Sequence, residues 1–226
     1  MCGVIGFYGI NDQENIDLLR ECFYETSIRG IHATGISYFE KEKIQTIIEK
    51  SPARECQFLD DLEEVFKSNE KYIKAIGHCR YSTSDIEWNQ PIYNENESIV
   101  HNGVMTQLPH KYWEETFGFK TDTKNDTELL LRTQELEVFE KWPDSSISAC
   151  KLTKDKGLLF FRNGKRPLYF YSDEKKVIIL STKDIFKRVG LDLNKVIKVH
   201  AGNMNKIIGD MDLRESRVFG EINDLQ

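Results

Sequence analysis

The feature that most constrains this chain is an apolar run that begins at its third residue. Residues 3–9 are apolar, aromatic or glycine throughout, and a short run of this kind is typical of a buried β-strand. Chain ends usually fray unless a sheet or a packed core holds them. We therefore expect the amino terminus to be fixed rigidly inside the fold.

The remaining patterns come in groups of strands and groups of helices. We predict helices at 14–28, 59–67, 125–138 and 183–189, strands at 34–39, 43–48, 72–80, 98–104 and 196–200, and a four-stranded antiparallel meander across 147–180. Grouped elements favour an α+β fold in which helices cover antiparallel sheets. Gly3, Gly6 and Gly9 do not form a GxGxxG motif that opens a helix, which disfavours a Rossmann fold.

Length and composition indicate one globular domain. The chain has 226 residues and no segment that resembles a linker, which predicts a single domain over residues 1–226. Hydrophobic residues make up 39% and charged residues 30%, a balance typical of soluble globular proteins. The 31 basic and 37 acidic residues are scattered and give a net charge of −6, without a basic stripe for a phosphate backbone. We expect no direct binding to nucleic acid.

The sequence also bears on the compartment. No apolar run approaches the ~20 residues of a membrane span, and the amino terminus lacks the regions of a signal peptide. The five cysteines are widely spaced, odd in number, and form neither a CxxC pair nor a Cys/His cluster. We therefore predict a cytoplasmic protein without membrane association, structural metal or cofactor.

The residue with the most distinctive chemistry is Cys2. A small residue after the initiator methionine favours removal of Met1, which would give Cys2 a free α-amine. Because that amine has a reference pKa of about 7.7–8.0 and a thiol one of about 8.5, the amine can act as base for the thiol of the same residue. A Met-Cys start alone is weak evidence for this chemistry. The strand that follows at once strengthens it, since a catalytic terminus must be held rigidly.

Three further positions suit acyl transfer on an amino acid. Asn102 and the amide of Gly103 can stabilise an oxyanion, although Asn-Gly between apolar stretches is also a strong hairpin signal. Arg80 can bind an α-carboxylate and Asp126 an α-ammonium. The alternative interpretation is that Arg80 is an ordinary surface arginine and that Asp126 is a carboxylate favoured by the dipole at the start of a helix. We assign the second Asn-Gly pair, at 163–164, to a turn.

Eight short motifs occur together in a specific order. They are Met1-Cys2-Gly3-Val4-Ile5-Gly6, Arg29-Gly30, Thr34-Gly35-Ile36, Gly77-His78-Cys79-Arg80-Tyr81-Ser82-Thr83, Gln90-Pro91, His101-Asn102-Gly103, Asn125-Asp126-Thr127-Glu128 and Arg166-Pro167-Leu168-Tyr169. The ordered set, spanning residues 2 to about 202, resembles the class II glutamine amidotransferase domain of the N-terminal nucleophile hydrolases. Glucosamine-6-phosphate synthase, amidophosphoribosyltransferase and asparagine synthetase contain such a domain.

The resemblance implies a fold, a reaction and a set of roles. The fold is a four-layer αββα sandwich of two antiparallel sheets, and Cys2 attacks the side-chain amide of L-glutamine to give ammonia and a thioester that water cleaves. The implied roles are the oxyanion hole for Asn102 and Gly103, the carboxylate clamp for Arg80, the ammonium partner for Asp126, the loop over glutamine for Tyr81 and Thr83, and a supporting position beside the nucleophile for Arg29.

The chain differs from the usual pattern at a few positions. Ser84-Asp85 follows Thr83 where His-Gly or Ala-Gly is common, His32 replaces an acidic residue, and Asn163 stands where Asp is frequent. These differences predict a glutamine loop of altered shape or charge. We interpret His78 and His101 as packing residues and Cys79 as buried and inert.

Three functions are compatible with these residues. Because the sequence ends near the end of the glutaminase resemblance, we favour a free-standing glutaminase that supplies ammonia to a synthase on a separate chain. The alternatives are a hydrolase of γ-glutamyl compounds that needs no partner and a silent partner-binding module, which the retained site residues disfavour. Candidates for a docking face, with ordinary half-buried packing as the alternative, are Tyr81, Ile86, Trp88, Tyr112 and Trp113.

Overall fold

The computed structural model describes residues 2–67, 70–82, 87–134, 137–155, 157–208 and 212–217. The strands are β1 (Gly3–Ile10), β2 (Ala33–Glu40), β3 (Lys43–Glu49), β4 (Tyr72–Arg80), β5 (Ile92–Tyr93), β6 (Glu97–His101), β7 (Ser148–Thr153), β8 (Gly157–Arg162), β9 (Tyr169–Ser172), β10 (Lys176–Leu180), β11 (Val196–Lys198), β12 (Asn203–Ile208) and β13 (Asp212–Arg217). The helices are α1 (Gln13–Thr26), α2 (Gln57–Asp60), α3 (Leu62–Val65), α4 (Trp113–Phe117), α5 (Thr127–Leu131), α6 (Val138–Lys141) and α7 (Lys183–Arg188).

The strands form two antiparallel sheets that face each other. The first has the order β11-β9-β10-β1-β4-β2-β3 and the second β13-β12-β8-β7-β6-β5. Helices α1, α2, α3 and α7 contribute to the core on the outer side of the first sheet, and α4, α5 and α6 to the core on the outer side of the second. A third core fills the space between the sheets. The predicted α+β sandwich of two antiparallel sheets, with helices outside both, is confirmed.

The apolar run at the amino terminus becomes the central strand β1. It pairs with β4 on one side and β10 on the other. Val4 and Tyr8 face the second sheet and Ile5 and Phe7 face the helices, all fully buried. Burial on both faces explains why the run is apolar without alternation. Because side chains alternate along a strand, Cys2 falls on the face of Val4, towards the second sheet.

The same alternation gathers the other site residues at this edge. In β4, Ile76 belongs to the core between the sheets, so Arg80, four residues on, projects to that side as the strand ends. In β6, Val100 belongs to the same core, so Asn102 follows on that side. The start of β1 lies beside the end of β4, since Gly3 pairs with Cys79. Cys2, Arg80 and Asn102 therefore lie at one edge of the space between the sheets.

The structure corrects several predicted elements. Within the described residues, the helix predicted at 125–138 is reduced to α5, which ends at Leu131, because α6 begins only at Val138. The helix predicted at 59–67 is replaced by α2 and α3. In α5 the three consecutive residues Leu129, Leu130 and Leu131 are all buried. Three consecutive residues span most of a helix's circumference, so α5 is an embedded single turn and not one side of a long amphipathic helix. Residues 212–217, for which we predict no element, form the strand β13, which pairs with β12.

The meander predicted at 147–180 is also wrong as a single unit. Strands β7 and β8 form a hairpin in the second sheet, whereas β9 and β10 form one in the first. The chain crosses between the sheets through Leu168, which is buried in the core between them. Arg162, itself fully buried, donates to the carbonyls of Val199, Asn163 and Arg166 at 2.7–3.0 Å. These bonds give hydrogen-bond partners to backbone carbonyls that have no strand neighbour where the chain crosses between the sheets.

Candidate active site

The amino-terminal end of β1 opens onto a cavity of about 350 Å³. The predicted site residues that line it are Cys2, Arg80, Tyr81, Gly103 and Asp126. Asn102 precedes Gly103 and is itself buried. Thr83 lies outside the described residues, so the structure does not place it. The cavity therefore unites chemistry from four separate regions of the chain.

A second and larger cavity, of about 470 Å³, lies at the opposite end of the sheets. Tyr8, Tyr72 and Lys74 line part of it. Its described walls contain no cysteine, whereas the smaller cavity contains a nucleophile beside groups of both charges. We therefore place the active site at the smaller cavity.

Two contacts fix the position of Cys2. Arg29 Nε donates to the carbonyl oxygen of Cys2 at 2.9 Å, and the amide of Val4 donates to Ser181 Oγ at 2.8 Å. The Cys2 thiol lies 3.8 Å from the carbonyl oxygen of Tyr81. Burial lowers the pKa of Arg29, and the nearby Arg166 lowers it further. Arg29 thus places a fixed, partly desolvated cation beside the backbone of Cys2.

Asn102 carries a hydrogen-bond donor that the free protein does not use. Its side chain is 3% exposed, and Nδ2 has no partner among the described residues. An unsatisfied buried donor costs about 1–3 kcal/mol, so such groups are rare and indicate a bound ligand or water. An unused amide donor, one residue before a glycine that lines the same cavity as Cys2, is what an oxyanion hole would require.

Gly103 occupies a position with no room for a side chain. A Cβ there would lie 1.8 Å from the carbonyl oxygen of Ser146 and 2.6 Å from His101 Nε2. The Asn102-Gly103 pair does not form the hairpin turn that its sequence also allows. The pair follows the end of β6, which pairs with β5 and β7 and not with a strand that comes directly after Gly103. The next residue, Val104, forms an isolated β-bridge with Ser146.

Ser146 organises the loop that carries Asn102 and Gly103, a role that the sequence did not reveal. The amide of Val104 donates to both the carbonyl oxygen and Oγ of Ser146, at 3.1 and 2.9 Å. His101 Nε2 lies 2.9 Å from the same carbonyl oxygen, which requires the proton to be on Nε2. Arg166 Nε donates to Ser146 Oγ at 3.3 Å. Ser146 thus ties together two motifs that are about 65 residues apart.

Gln90 is a second residue whose role the sequence did not predict, although it stands in a quoted motif. Its buried amide pairs with the backbone of His101 in both directions. Gln90 Nε2 donates to the carbonyl oxygen at 3.1 Å, and the amide of His101 donates to Gln90 Oε1 at 2.6 Å. The side-chain amide of Gln90 thus bonds the backbone of His101 as a neighbouring strand would, and so supports the end of β6 where the Asn102 loop begins.

Arg80 and Asp126 place opposite charges in the walls of one cavity. Arg80 Nη1 donates to the carbonyl oxygen of Trp88 and to Asn89 Oδ1, both at 2.7 Å. Asp126 Oδ2 accepts from the amide of Met105 at 2.7 Å. Both side chains are therefore held in fixed positions. A guanidinium and a carboxylate in these positions suit a zwitterionic amino acid.

The interpretation of the predicted docking face needs a correction. Trp113 is only 5% exposed, and its indole nitrogen donates to the carbonyl oxygen of Leu108 at 2.8 Å, so it packs in the second core. Tyr81 and Tyr112 are 48% and 44% exposed, Trp88 is half-buried, and Ile86 lies outside the described residues. The four of these residues that the structure describes therefore do not form one exposed face.

Neither a metal centre nor a membrane span is visible in the described part of the chain. No group of three or more histidine, cysteine or acidic residues is arranged there to hold a metal ion. Within the same ranges, every helix is too short or too polar to cross a bilayer.

Comparison with known proteins identifies the family. No family model matches the chain. It is 30% identical over 195 residues to a putative glutamine-hydrolysing asparagine synthetase from Methanocaldococcus jannaschii, covering 72% of this chain and 37% of that protein. It is 27% identical over 201 residues to the isomerizing glutamine–fructose-6-phosphate aminotransferase of Listeria innocua, covering 80% of this chain and 32% of that protein. The chain is a relative of the class II glutamine amidotransferases. It spans about a third of the length of these two relatives.

Solved structures of class II amidotransferases share the fold. Glutamine phosphoribosylpyrophosphate amidotransferase from B. subtilis superimposes with a TM-score of 0.74 at 23% identity, over 98% of this chain and 50% of that one. A glutamine aminotransferase class-II domain protein from Silicibacter pomeroyi gives a TM-score of 0.60 at 13% identity, over 96% and 99% of the two chains. The fold predicted for this chain, a sandwich of two antiparallel sheets, is therefore also that of these solved structures.

The buried His78 predicts how stability depends on pH. Burial, reinforced by the charge of Arg80, lowers the pKa of His78 to about 3, compared with about 6.5 in an unfolded chain. As pH falls below about 6.5 the unfolded chain takes up the proton first, so stability present above that pH is lost as pH approaches 3. Between roughly pH 6 and pH 4, we expect the free energy of unfolding to fall with decreasing pH by about 1.4 kcal/mol per pH unit more in the parent than in His78→Asn.

Denaturant unfolding at several pH values measures this difference. A constant offset between parent and His78→Asn at all pH values would contradict a neutral buried imidazole. If His78→Asn does not fold, His78→Phe provides the same comparison, since it also lacks a titrating group.

Proposed function

We propose that this protein is a glutaminase that hydrolyses the side-chain amide of L-glutamine through a thioester on Cys2. The observation that carries the proposal is the buried, unpartnered Asn102 Nδ2, on the residue between His101 and Gly103, which both line the cavity together with Cys2. A thiol needs such a donor only if its target develops a negative oxygen. The relatives named above add support, because both of their names include glutamine.

The proposed mechanism uses these groups in two chemical steps. The α-amine of Cys2, free once Met1 is removed, accepts the thiol proton as Sγ attacks the amide carbon. Asn102 Nδ2 and the amide of Gly103 stabilise the oxyanion, and the protonated amine then donates to the departing nitrogen. Ammonia leaves and a γ-glutamyl thioester remains. The same amine deprotonates a water molecule, which cleaves the thioester to give glutamate and the free thiol.

Substrate recognition uses the two fixed charges. Arg80 binds the α-carboxylate of glutamine and Asp126 its α-ammonium, with Tyr81 and Thr83 in the loop that closes over the substrate. Arg29 keeps the carbonyl of Cys2, and hence the nucleophile, in register. The carboxylate clamp and the ammonium partner together orient the α-carbon of glutamine, so that its side chain can extend towards Cys2.

Residues 1–226 are proposed to form one domain that acts in the cytoplasm. Its proposed partner is an ammonia-accepting synthase on a separate chain. All five cysteines are free, which suits a reducing compartment. Ammonia is mostly protonated at neutral pH and is then a poor nucleophile, so a biosynthetic glutaminase benefits from direct transfer to its acceptor. The exposed side chains of Ile28 and Tyr81 offer an apolar surface near the cavity.

The partner proposal predicts a glutaminase whose basal rate is slow and rises when the acceptor enzyme and its substrate are added, because docking orders the loop beyond Arg80. Steady-state assays with and without the proteins encoded beside this one measure the effect. Rapid unstimulated hydrolysis of γ-glutamyl peptides, with glutamine a poor substrate, would instead support the hydrolase that needs no partner.

The role of Cys2 predicts the effect of two changes at the amino terminus. Cys2→Ala removes the nucleophile, and an extension that blocks the α-amine removes the base, so each is expected to abolish hydrolysis while leaving the fold intact. Intact mass, circular dichroism and glutamate release provide the measurements. Full activity in purified protein that retains Met1 would rule out the amine as base.

The role of Asn102 predicts a loss of turnover with little loss of binding. Loss of one oxyanion donor commonly lowers kcat by about 10²–10³, so Asn102→Ala is expected to reduce kcat far more than it raises KM. Asn205→Ala is a matched control, because Asn205 is equally buried but lies in β12. If the two variants lose activity and stability to the same extent, Asn102 has only a structural role.

A further inference from the structure

We propose that His32 is a positioning residue that holds the cavity wall from Arg80 to Ser82 in the shape that glutamine binding requires. The inference rests on the proposed function and assigns a residue that the reaction itself does not use. Its basis is the contact between the segment from Arg29 to His32 and the chain that leaves the end of β4.

The wall needs support because it begins where the strand ends. Strand β4 stops at Arg80, and Tyr81 and Ser82 continue beyond it as part of the cavity lining. The amide of Ser82 donates to His32 Nδ1 at 2.9 Å. The amide of His32 in turn donates to the carbonyl oxygen of Arg80 at 2.9 Å. The imidazole thus extends the pattern of the ladder by one further hydrogen bond after the strand ends.

Ring contacts strengthen the same connection. The imidazole of His32 and the phenol ring of Tyr81 lie 5.0 Å apart at an interplanar angle of 36°. The carbonyl oxygen of Tyr81 lies 3.8 Å from the Cys2 thiol, so the orientation of Tyr81 affects the surroundings of the nucleophile as well as the wall. Because Nδ1 accepts a hydrogen bond, the imidazole proton is on Nε2.

The segment that contains His32 also positions the nucleophile. Arg29 Nε donates to the carbonyl oxygen of Cys2. Gly30 packs so closely on the wall that a Cβ would lie 2.3 Å from the carbonyl carbon of Arg80. Arg29, Gly30 and His32 therefore together determine how Cys2 stands relative to the wall that binds the substrate. The hydrogen bond between His32 and Ser82 is the contact of this segment that lies furthest beyond the end of β4.

Two substitutions separate the hydrogen bond from the ring. His32→Phe keeps an aromatic ring beside Tyr81 but removes the acceptor, whereas His32→Asn keeps an acceptor near the position of Nδ1 and removes the ring. We expect His32→Phe to raise KM for glutamine about 5-fold to 20-fold, with a smaller change in kcat, because the wall and not the chemistry is disturbed. His32→Asn is expected to stay within about threefold of the parent. Ile31→Ala, a change at an exposed neighbour, is the control and should behave as the parent does.

Amide hydrogen exchange at Ser82 tests the contact without reference to activity. We expect exchange in His32→Phe to be about tenfold faster than in the parent, and His32→Asn to restore protection. Unchanged KM in His32→Phe, equal impairment of both variants, or unchanged exchange at Ser82 would each overturn the inference. If the parent hydrolyses no glutamine, the proposed function fails and the role in glutamine binding fails with it. The exchange measurement then decides whether His32 orders the wall.

Discussion

The pairing of β1 between β4 and β10 is the constraint on which the rest of the site depends. A strand that begins at residue 3 cannot fray, because its neighbours satisfy its backbone groups on both sides and its side chains are buried on both faces. Cys2 is therefore held by the sheet, and the hydrogen bond from Arg29 to its carbonyl oxygen adds to this. The partner β4 ends beside it and supplies Arg80. The site is thus a direct product of strand register.

The strands of the first sheet were largely predictable and the short helices were not. The strand Tyr72–Arg80 was predicted with its observed bounds, and the hairpin of β2 and β3 to within two residues, because period-two and continuous apolar patterns are local signals. Helix α5 was predicted to be longer than it is, since local spacing does not show that its consecutive leucines are buried on all sides. The division of β7 to β10 between two sheets depends on the fully buried Arg162, whose carbonyl partners include Val199, 37 residues away.

The candidate site was predictable where its chemistry is carried by residue type and unpredictable where it depends on contact. Cys2, Asn102, Gly103, Arg80 and Asp126 were identified from their motifs, and the structure brings them to one end of the sandwich. Ser146 and Gln90 were missed as organisers, because serine and glutamine are common and their partners are distant in sequence. The hairpin alternative for Asn102-Gly103 could be rejected only when the bridge between Val104 and Ser146 was seen.

The unused donor of Asn102 has a consequence for how this chain evolves. A buried amide without a partner lowers the stability of the free protein, and an apolar residue of similar size would remove that deficit. Selection for folding alone would therefore remove asparagine from position 102. Under the proposed function stability and activity oppose each other at this residue, so substitutions there that raise the abundance of the protein should lower its turnover.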